Sequence, residues 1–268
     1  MVEAEIMSGV RGEVPNLTVG ELIGRYVREV VPKKKGAHWE EVRCKALQRD
    51  SLASVRLRHL DSPHVAAWQE RRLSHVSQAS VRRERNLLNA AFEIARKEWK
   101  WVRRNPFDGV RRPKDAKART RVATQGEIDA ILKLASPEMQ KAIVLALETG
   151  MRASELTRFE AKGRVGYLAD TKNDSSREVA LSSRALEAMA SGPVGISAGS
   201  ISTLWAQYCK AAKVKGLTFH DLRRTAAVRL ADKLSPLELA KMLGHKDLRM
   251  TLNVYYQADP EKVADKLG

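Results

Sequence analysis

Cysteine is scarce in this chain: Cys44 and Cys209 are the two in 268 residues, far apart and in no paired motif. That excludes a disulfide scaffold and a thiolate zinc site, and it suits a reducing compartment. No apolar run approaches the roughly 20 residues of a membrane span. The opening stretch MVEAEIMSGVRGEV lacks a basic region followed by an apolar core, so no secretion signal is expected. There is no internal repeat, no low-complexity tract, no nucleotide-binding loop and no metal-ligand cluster. The expectation is a cytoplasmic protein with no membrane partner, no metal and no cofactor.

Negative charge is also in short supply. Asp and Glu total 32 against 48 Lys and Arg, a net charge of +16. A surplus of that size points to a polyanionic partner, nucleic acid first. The length allows one large domain or two small ones, and 43% hydrophobic content is enough for a core.

Residues 1–16 read as a loose tail. Thr18 with Glu21 three residues on is a capping box. It opens a helix with an apolar stripe of Leu22, Ile23, Tyr26, Val27 and Val30, ended by Pro32. A second helix is expected over about 37–49, and a third from Ser62 as N-cap with Pro63 at the first helical position. A fourth is expected over about 77–99, with Leu87, Leu88, Ala91, Phe92 and Ile94 inward. Four helices with little strand signal make a small all-α domain, about 17–102. Its outer faces carry Arg71, Arg72, Arg82, Arg83 and Arg85. A charge run is commonly a solvated face. Here the excess is one-signed and recurs on successive helices, which favours a phosphate-contacting face.

Residues 103–122, RRNPFDGVRRPKDAKARTRV, break the helical pattern and read as a basic interdomain linker. They serve as a spacer or as a strap along a DNA backbone, with Arg111, Arg112 and Lys114 as candidate contacts. Thr124 opens the second domain, about 123–268, with a capping box to Glu127. An apolar helix through Ile143, Val144, Leu145 and Leu147 ends at Gly150. Arg152 follows at once, and ASEL begins a new helical turn. RVGYLADTKNDSSREVALS then reads as strand, polar turn, strand, with Lys172 at the end of the first strand. An amphipathic helix is expected over about 200–213.

The stretch 217–256 concentrates reactive side chains. His220 and Arg223 are spaced i,i+3 on one helix face. Ser235, Pro236 and Glu238 start a short helix that Gly244 stops, leaving His245 at a tight turn. A last helix presents Tyr255 and Tyr256. Successive helical residues point about 100° apart, so one of the two tyrosines reaches a shared site. A proton carrier, a fixed cation, a second imidazole and a phenol are the groups a phosphodiester cleavage needs. Each has a bland reading as well: a helix cap for Arg152, a turn residue for Lys172 or His245, a solvent face for His220 and Arg223. Glu155 and Asp221 read as residues that orient arginines.

TGMRASEL, TKN before a short strand, HDLRRT, LGH and MTLNVY, in that order, resemble the catalytic domain of the tyrosine recombinases, the phage integrase family. The resemblance covers residues 17–268. It implies a mainly α fold with a small β-hairpin or sheet: an all-α core-binding domain, then the catalytic domain of the DNA breaking-rejoining enzymes. It implies Arg152 and Arg223 as the paired arginines and Lys172 as the hairpin lysine. His220 and His245 would be the two imidazoles and Tyr255, favoured by MTLNVY, the nucleophile. It implies a site-specific recombinase working through a 3′-phosphotyrosyl intermediate, with double-stranded DNA as partner. The assembly would be a monomer in solution and a tetramer on synapsed core sites, for integration or excision of a phage or mobile element. A non-catalytic DNA-binding relative and a type IB topoisomerase-like enzyme are the other readings.

Two features depart from the family pattern. The 16 residues before the first helix are not basic, so arm-site binding is not expected. The segment between Arg152 and Lys172 is short, which predicts a clipped strand in the usual three-stranded sheet. The C-terminal stretch 260–268 has an apolar patch that packs on its own domain or on a neighbour.

Overall fold

Thr18 and Glu21 start the first helix by reciprocal capping. The Glu21 amide donates to Thr18 Oγ1 at 3.2 Å and the Thr18 amide to Glu21 Oε2 at 2.7 Å. The structure, a computed structural model, describes residues 14–34, 36–114, 119–169 and 176–256. The chain forms two compact units, Met1–Ala118 and Arg119–Gly268.

The first unit contains α1 (Val19–Glu29), α2 (Ala37–Gln48), α3 (Ser62–Leu73) and α4 (Gln78–Lys97), joined by short 3-10 turns. Leu22, Ile23, Tyr26, Val65, Trp68, Leu88 and Phe92 fill its core. The cap of α3 falls one residue earlier than expected. Asp61 accepts from the His64 amide at 3.2 Å, whereas the Ser62 hydroxyl donates to the carbonyls of Pro106 and Asp108. Ser62 is thus engaged by a distant loop that the local sequence does not announce.

That loop is packed rather than free. Phe107 is 2% exposed and lies edge-on to Trp68 and against Phe92. Asn105 Nδ2 reaches Glu93 Oε1 at 2.9 Å, and its Oδ1 accepts from the Phe107 amide at 3.0 Å.

The second unit contains α5 (Gln125–Leu132), α6 (Pro137–Thr149), α7 (Ala153–Leu156), strands β1 (Glu160–Lys162), β2 (Val165–Leu168) and β3 (Arg177–Ala180), then α8 (Ser183–Met189), α9 (Ala198–Ala211), α10 (Phe219–Ala231), α11 (Pro236–Leu243) and α12 (Leu248–Tyr255). The strands form one antiparallel sheet in the order β1-β2-β3, with Glu160 opposite Tyr167 and Tyr167 opposite Glu178. The anticipated hairpin supplies β2 and β3, and β1 is the clipped strand expected of the three-stranded sheet. β1 has only three residues, all exposed, so it offers no alternation to read. α8 was not anticipated; Ser182 caps it by accepting from the Ala185 amide.

α6 is the central helix, packed on α8 and α10, with Ala142, Ile143, Leu145 and Ala146 fully buried. It ends at Gly150, whose φ of 65° is left-handed. A Cβ there would lie 2.6 Å from Leu243 Cδ2 and 3.8 Å from Ala226 Cβ. The ends of α6 and α11 and the middle of α10 therefore converge where only a glycine fits. Gly150→Ala combines a left-handed alanine with overpacking. It should lower unfolding stability by about 2–4 kcal/mol in chemical denaturation, with the midpoint shifted and the slope unchanged.

Candidate active site

Arg152 follows the Gly150 stop and is the N-cap of α7. Its amide donates to Glu155 Oε2 at 2.7 Å and its Nη1 to Glu155 Oε1 at 2.6 Å. Glu155 is 1% exposed. Burial alone would raise its pKa. Hydrogen bonds from Arg177 and from the Arg152 amide overcome that and hold it at about 2.

Arg223 sits on the inner face of α10 at 7% exposure. Its Nη1 donates to the Gly150 carbonyl at 2.8 Å and its Nη2 to the Leu243 carbonyl at 2.5 Å. These carbonyls belong to the C-terminal ends of α6 and α11, the negative poles of both helices. Burial pushes the guanidinium down to about 10, and nearby Arg152 pushes the same way. It stays charged at neutral pH.

Gly244 ends α11 in the left-handed region, φ 69°, and turns the chain into His245. His245 Nδ1 lies 2.8 Å from the hydroxyl of the fully buried Thr251. The imidazole stacks on Tyr255 with ring centres 6.4 Å apart and planes 13° apart. Burial, then the charges of Arg223, Arg152 and Arg177, push its pKa down to about 4. Tyr255 is the last residue of α12, and the Arg224 guanidinium lies 5.7 Å from its ring centre. Tyr255 is close enough to Arg223 to act on that guanidinium electrostatically.

The structure thus brings Arg152, Arg223, His245 and Tyr255 into one electropositive pocket. His220 is on the first turn of α10, exposed, three residues before Arg223. Lys172 lies outside the described residues. The two tyrosines separate clearly: the Tyr256 hydroxyl donates to the Leu234 carbonyl. Asp221 orients an arginine, but Arg119 rather than a pocket residue, through bonds of 2.7 and 3.1 Å. Beside the pocket, an open cleft of about 860 Å³ runs between the sheet and the end of α11, bordered by Tyr167, Arg177, Lys241, His245 and Lys246.

Sequence reasoning missed Arg177 and Thr251. Arg177 carried a usable signal. It is two residues before the fully buried Val179, hence on the inward face of β3.

In the first unit the arginines divide. Arg83 is exposed, as are Arg111, Arg112 and Lys114. Arg82 is half-buried. Arg71 is exposed and meets Asp50 at 2.5 Å. Arg72 makes a two-pronged pair with Glu84, 2.9 and 2.7 Å, tying α3 to α4. Arg85 is a correction: it is 4% exposed, not on an outer face. Its Nη2 donates to the carbonyls of Phe107 at 3.2 Å and Val110 at 2.7 Å, so it closes the loop and has no route to a phosphate.

The depressed pKa of His245 makes a direct test. In a pH titration followed by NMR, its imidazole should protonate near pH 4, against about 6.5 when unfolded. The unfolded chain takes up that proton first. The histidine's contribution to stability is therefore full above about 6.5 and is lost as pH falls toward 4.

Comparison with known proteins gives the family and the fold. Residues 194–262 match the model of the phage integrase family. A "putative integrase/recombinase" of Haemophilus influenzae is 31% identical over 290 residues, covering 99% of this chain and 95% of the relative. The shufflon-specific DNA recombinase of Escherichia coli is 28% identical, covering 88% of this chain and 68% of its own. Among solved structures, a lambda integrase tetramer bound to a Holliday junction has the same fold, with a TM-score of 0.75 at 22% identity, covering 95% of this chain and 80% of that one. The chain belongs to the phage integrase family, the tyrosine recombinases.

Proposed function

We propose that this chain is a site-specific DNA recombinase in which Tyr255 is the nucleophile. The observation that carries the reading is the pocket itself: two guanidiniums, a neutral imidazole and a stacked phenol around one space. The Tyr255 oxygen attacks a backbone phosphorus and loses its proton. The bond from phosphorus to the 5′ oxygen breaks, that oxygen takes up a proton, and the strand stays joined to the enzyme through a 3′-phosphotyrosine. A 5′-hydroxyl of a second strand reverses the step, so the energy of the ester bond is conserved.

Arg152 and Arg223 meet the nonbridging oxygens, where the transition state gathers negative charge. His245 is neutral, and in the tautomer whose Nε2 carries the proton, Nδ1 accepts from the Thr251 hydroxyl and Nε2 donates to a phosphate oxygen. His220, on the same helix as Arg223, is the candidate base for the phenol. Lys172 is the candidate acid for the leaving oxygen.

Residues 17–102 serve as the core-binding domain, 103–122 as the basic connection and 123–268 as the catalytic domain. Exposed Arg83, Arg111, Arg112 and Lys114 supply phosphate contacts. The lambda integrase similar in fold was solved as a tetramer on a Holliday junction. The same assembly is the working state proposed for this chain, on double-stranded core sites of a phage or mobile element. No helix among the described residues is long and apolar enough to cross a membrane, and both cysteines are free and buried. The bacterial cytoplasm, at the nucleoid, is the proposed compartment.

A nicked suicide substrate carrying the recombination site tests the chemistry. Wild-type protein should be trapped as a covalent DNA adduct. Tyr255→Phe should form none. Tyr256→Phe should still form it, losing about 1 kcal/mol of stability with its half-buried hydrogen bond. Loss of the adduct in the Tyr256 variant alone would transfer the nucleophile's role. Adduct formation on any duplex by a monomer would indicate a relaxing enzyme.

Phosphate contacts have a separate signature. Arg112→Ala should weaken DNA binding on all sequences alike and reduce the slope of log affinity against log salt by about 1. Arg85→Ala should leave that slope unchanged and instead lower the unfolding free energy by about 1–3 kcal/mol, because two carbonyls lose their donor.

A further inference from the structure

Arg177 is a third guanidinium beside the pocket, and no step of the proposed reaction uses it. Its side chain is 8% exposed. Nη1 and Nη2 donate to Glu155 Oε1 and Oε2 at 3.0 and 2.7 Å, and Nε donates to the Met242 carbonyl at 3.1 Å. Glu155 Oε1 also accepts from Arg152 Nη1, and Oε2 from the Arg152 amide. One buried carboxylate is therefore shared by two guanidiniums on unequal terms. Arg177 takes it with a full fork; Arg152 touches it with one guanidinium nitrogen.

The same guanidinium braces the His245 turn. A Cβ on Gly244 would sit 2.8 Å from Arg177 Nη1 and 3.1 Å from its Cδ. The left-handed stop of α11 is thus built around Arg177, one residue before the imidazole.

A buried carboxylate with a single arginine favours the two-pronged pair, which consumes the edge of the guanidinium that faces it. With Arg177 in place, Glu155 has no need of that geometry from Arg152. Arg152 keeps four of its five N–H donors clear of the carboxylate.

We propose that Arg177 is a positioning residue for strand transfer: it neutralises Glu155 so that Arg152 presents its guanidinium to the scissile phosphate, and it fixes the Gly244–His245 turn. This role rests on the proposed function. Without Arg177, Glu155 draws Arg152 into a fork and removes it from the phosphate. The charge of Arg177 also contributes to keeping His245 neutral, after burial and the charges of Arg223 and Arg152.

The test is single-turnover adduct formation at saturating nicked DNA with four proteins: wild type, Arg177→Met, Glu155→Gln and the double variant. Arg177→Met should slow the adduct about 10- to 100-fold, the range expected when a reacting group is displaced by about 1 Å, with little change in DNA affinity. Adding Glu155→Gln should restore most of that rate, because the competing charge is gone. A role confined to stability predicts the opposite, a double variant as slow as Arg177→Met or slower. That outcome, in protein that is folded, overturns the proposal. Arg177→Lys carries the same test if the methionine variant does not fold: a single ammonium cannot span both oxygens, so slowing should persist and Glu155→Gln should relieve it. In parallel, the NMR titration midpoint of His245 should rise in Arg177→Met, and a fixed midpoint counts against the brace. A wild-type protein that forms no adduct removes the reaction and this role with it. A reactive wild type with no rescue in the double variant removes only the role of Arg177.

Discussion

Among the described residues, Arg223 is a buried charge hydrogen-bonded to carbonyl dipoles rather than to a carboxylate. Its described hydrogen bonds go to the carbonyls of Gly150 and Leu243, at the ends of α6 and α11. Removing a cation from water costs several kcal/mol unless polar groups replace the lost hydration. Two helix C-termini supply those groups without cancelling the charge. A carboxylate would have solved the burial and left a neutral pair with little to offer a phosphate. Arg72 with Glu84 shows that alternative, and it serves to join two helices.

This one constraint explains the surroundings. For two helix ends to aim at one guanidinium, each must stop abruptly, and Gly150 and Gly244 do so in the left-handed region. Arg152 follows its stop by two residues and His245 follows its own by one, so the same turns that complete the cage for Arg223 deliver its neighbours. The assembled cations then act on one another. Burial and Arg152 bring Arg223 down to about 10, a penalty on its charged form of about 3 kcal/mol. Burial and the three arginines keep His245 uncharged. The mutual repulsion of these cations is the kind an anion relieves, which is the electrostatic condition for stabilising a phosphorane-like transition state without reorganisation.

Much of this was legible because the rules that build it are local. Thr18, Thr124 and Ser235 each face a glutamate three residues on, and each caps a helix. The glycine stops were equally plain. What escaped depends on residues far apart in the chain. Asp61 displaced Ser62 as a cap because the Ser62 hydroxyl is bound by carbonyls some 44 residues away. β1 is exposed throughout and has no burial pattern, so the family resemblance and not its own residues announced a clipped strand there. Tyr255 and Tyr256 could be ranked from sequence, but the Leu234 carbonyl that occupies Tyr256 is 22 residues upstream.

Basic residues gave the least reliable reading, and the reason is periodicity. Arg85 lies four residues after Val81 and three before Leu88, both fully buried, so it falls on the apolar stripe of α4. Arg177 precedes Val179 by two on β3. Arg223 follows Phe219 by four and precedes Ala226 by three on α10. All three are cations on inward positions, a placement too costly to be incidental. Inwardness alone does not make a site, because Arg85 and Arg223 are both held by pairs of carbonyls. The difference is what lies beyond the guanidinium. Arg85 is covered by the Phe107 ring, 5.1 Å from its centre, and is 4% exposed. Arg223 has Arg152, His245 and Tyr255 within electrostatic reach. Net charge announces a polyanionic partner; the inward cation whose neighbours are also reactive marks the site proposed for the chemistry.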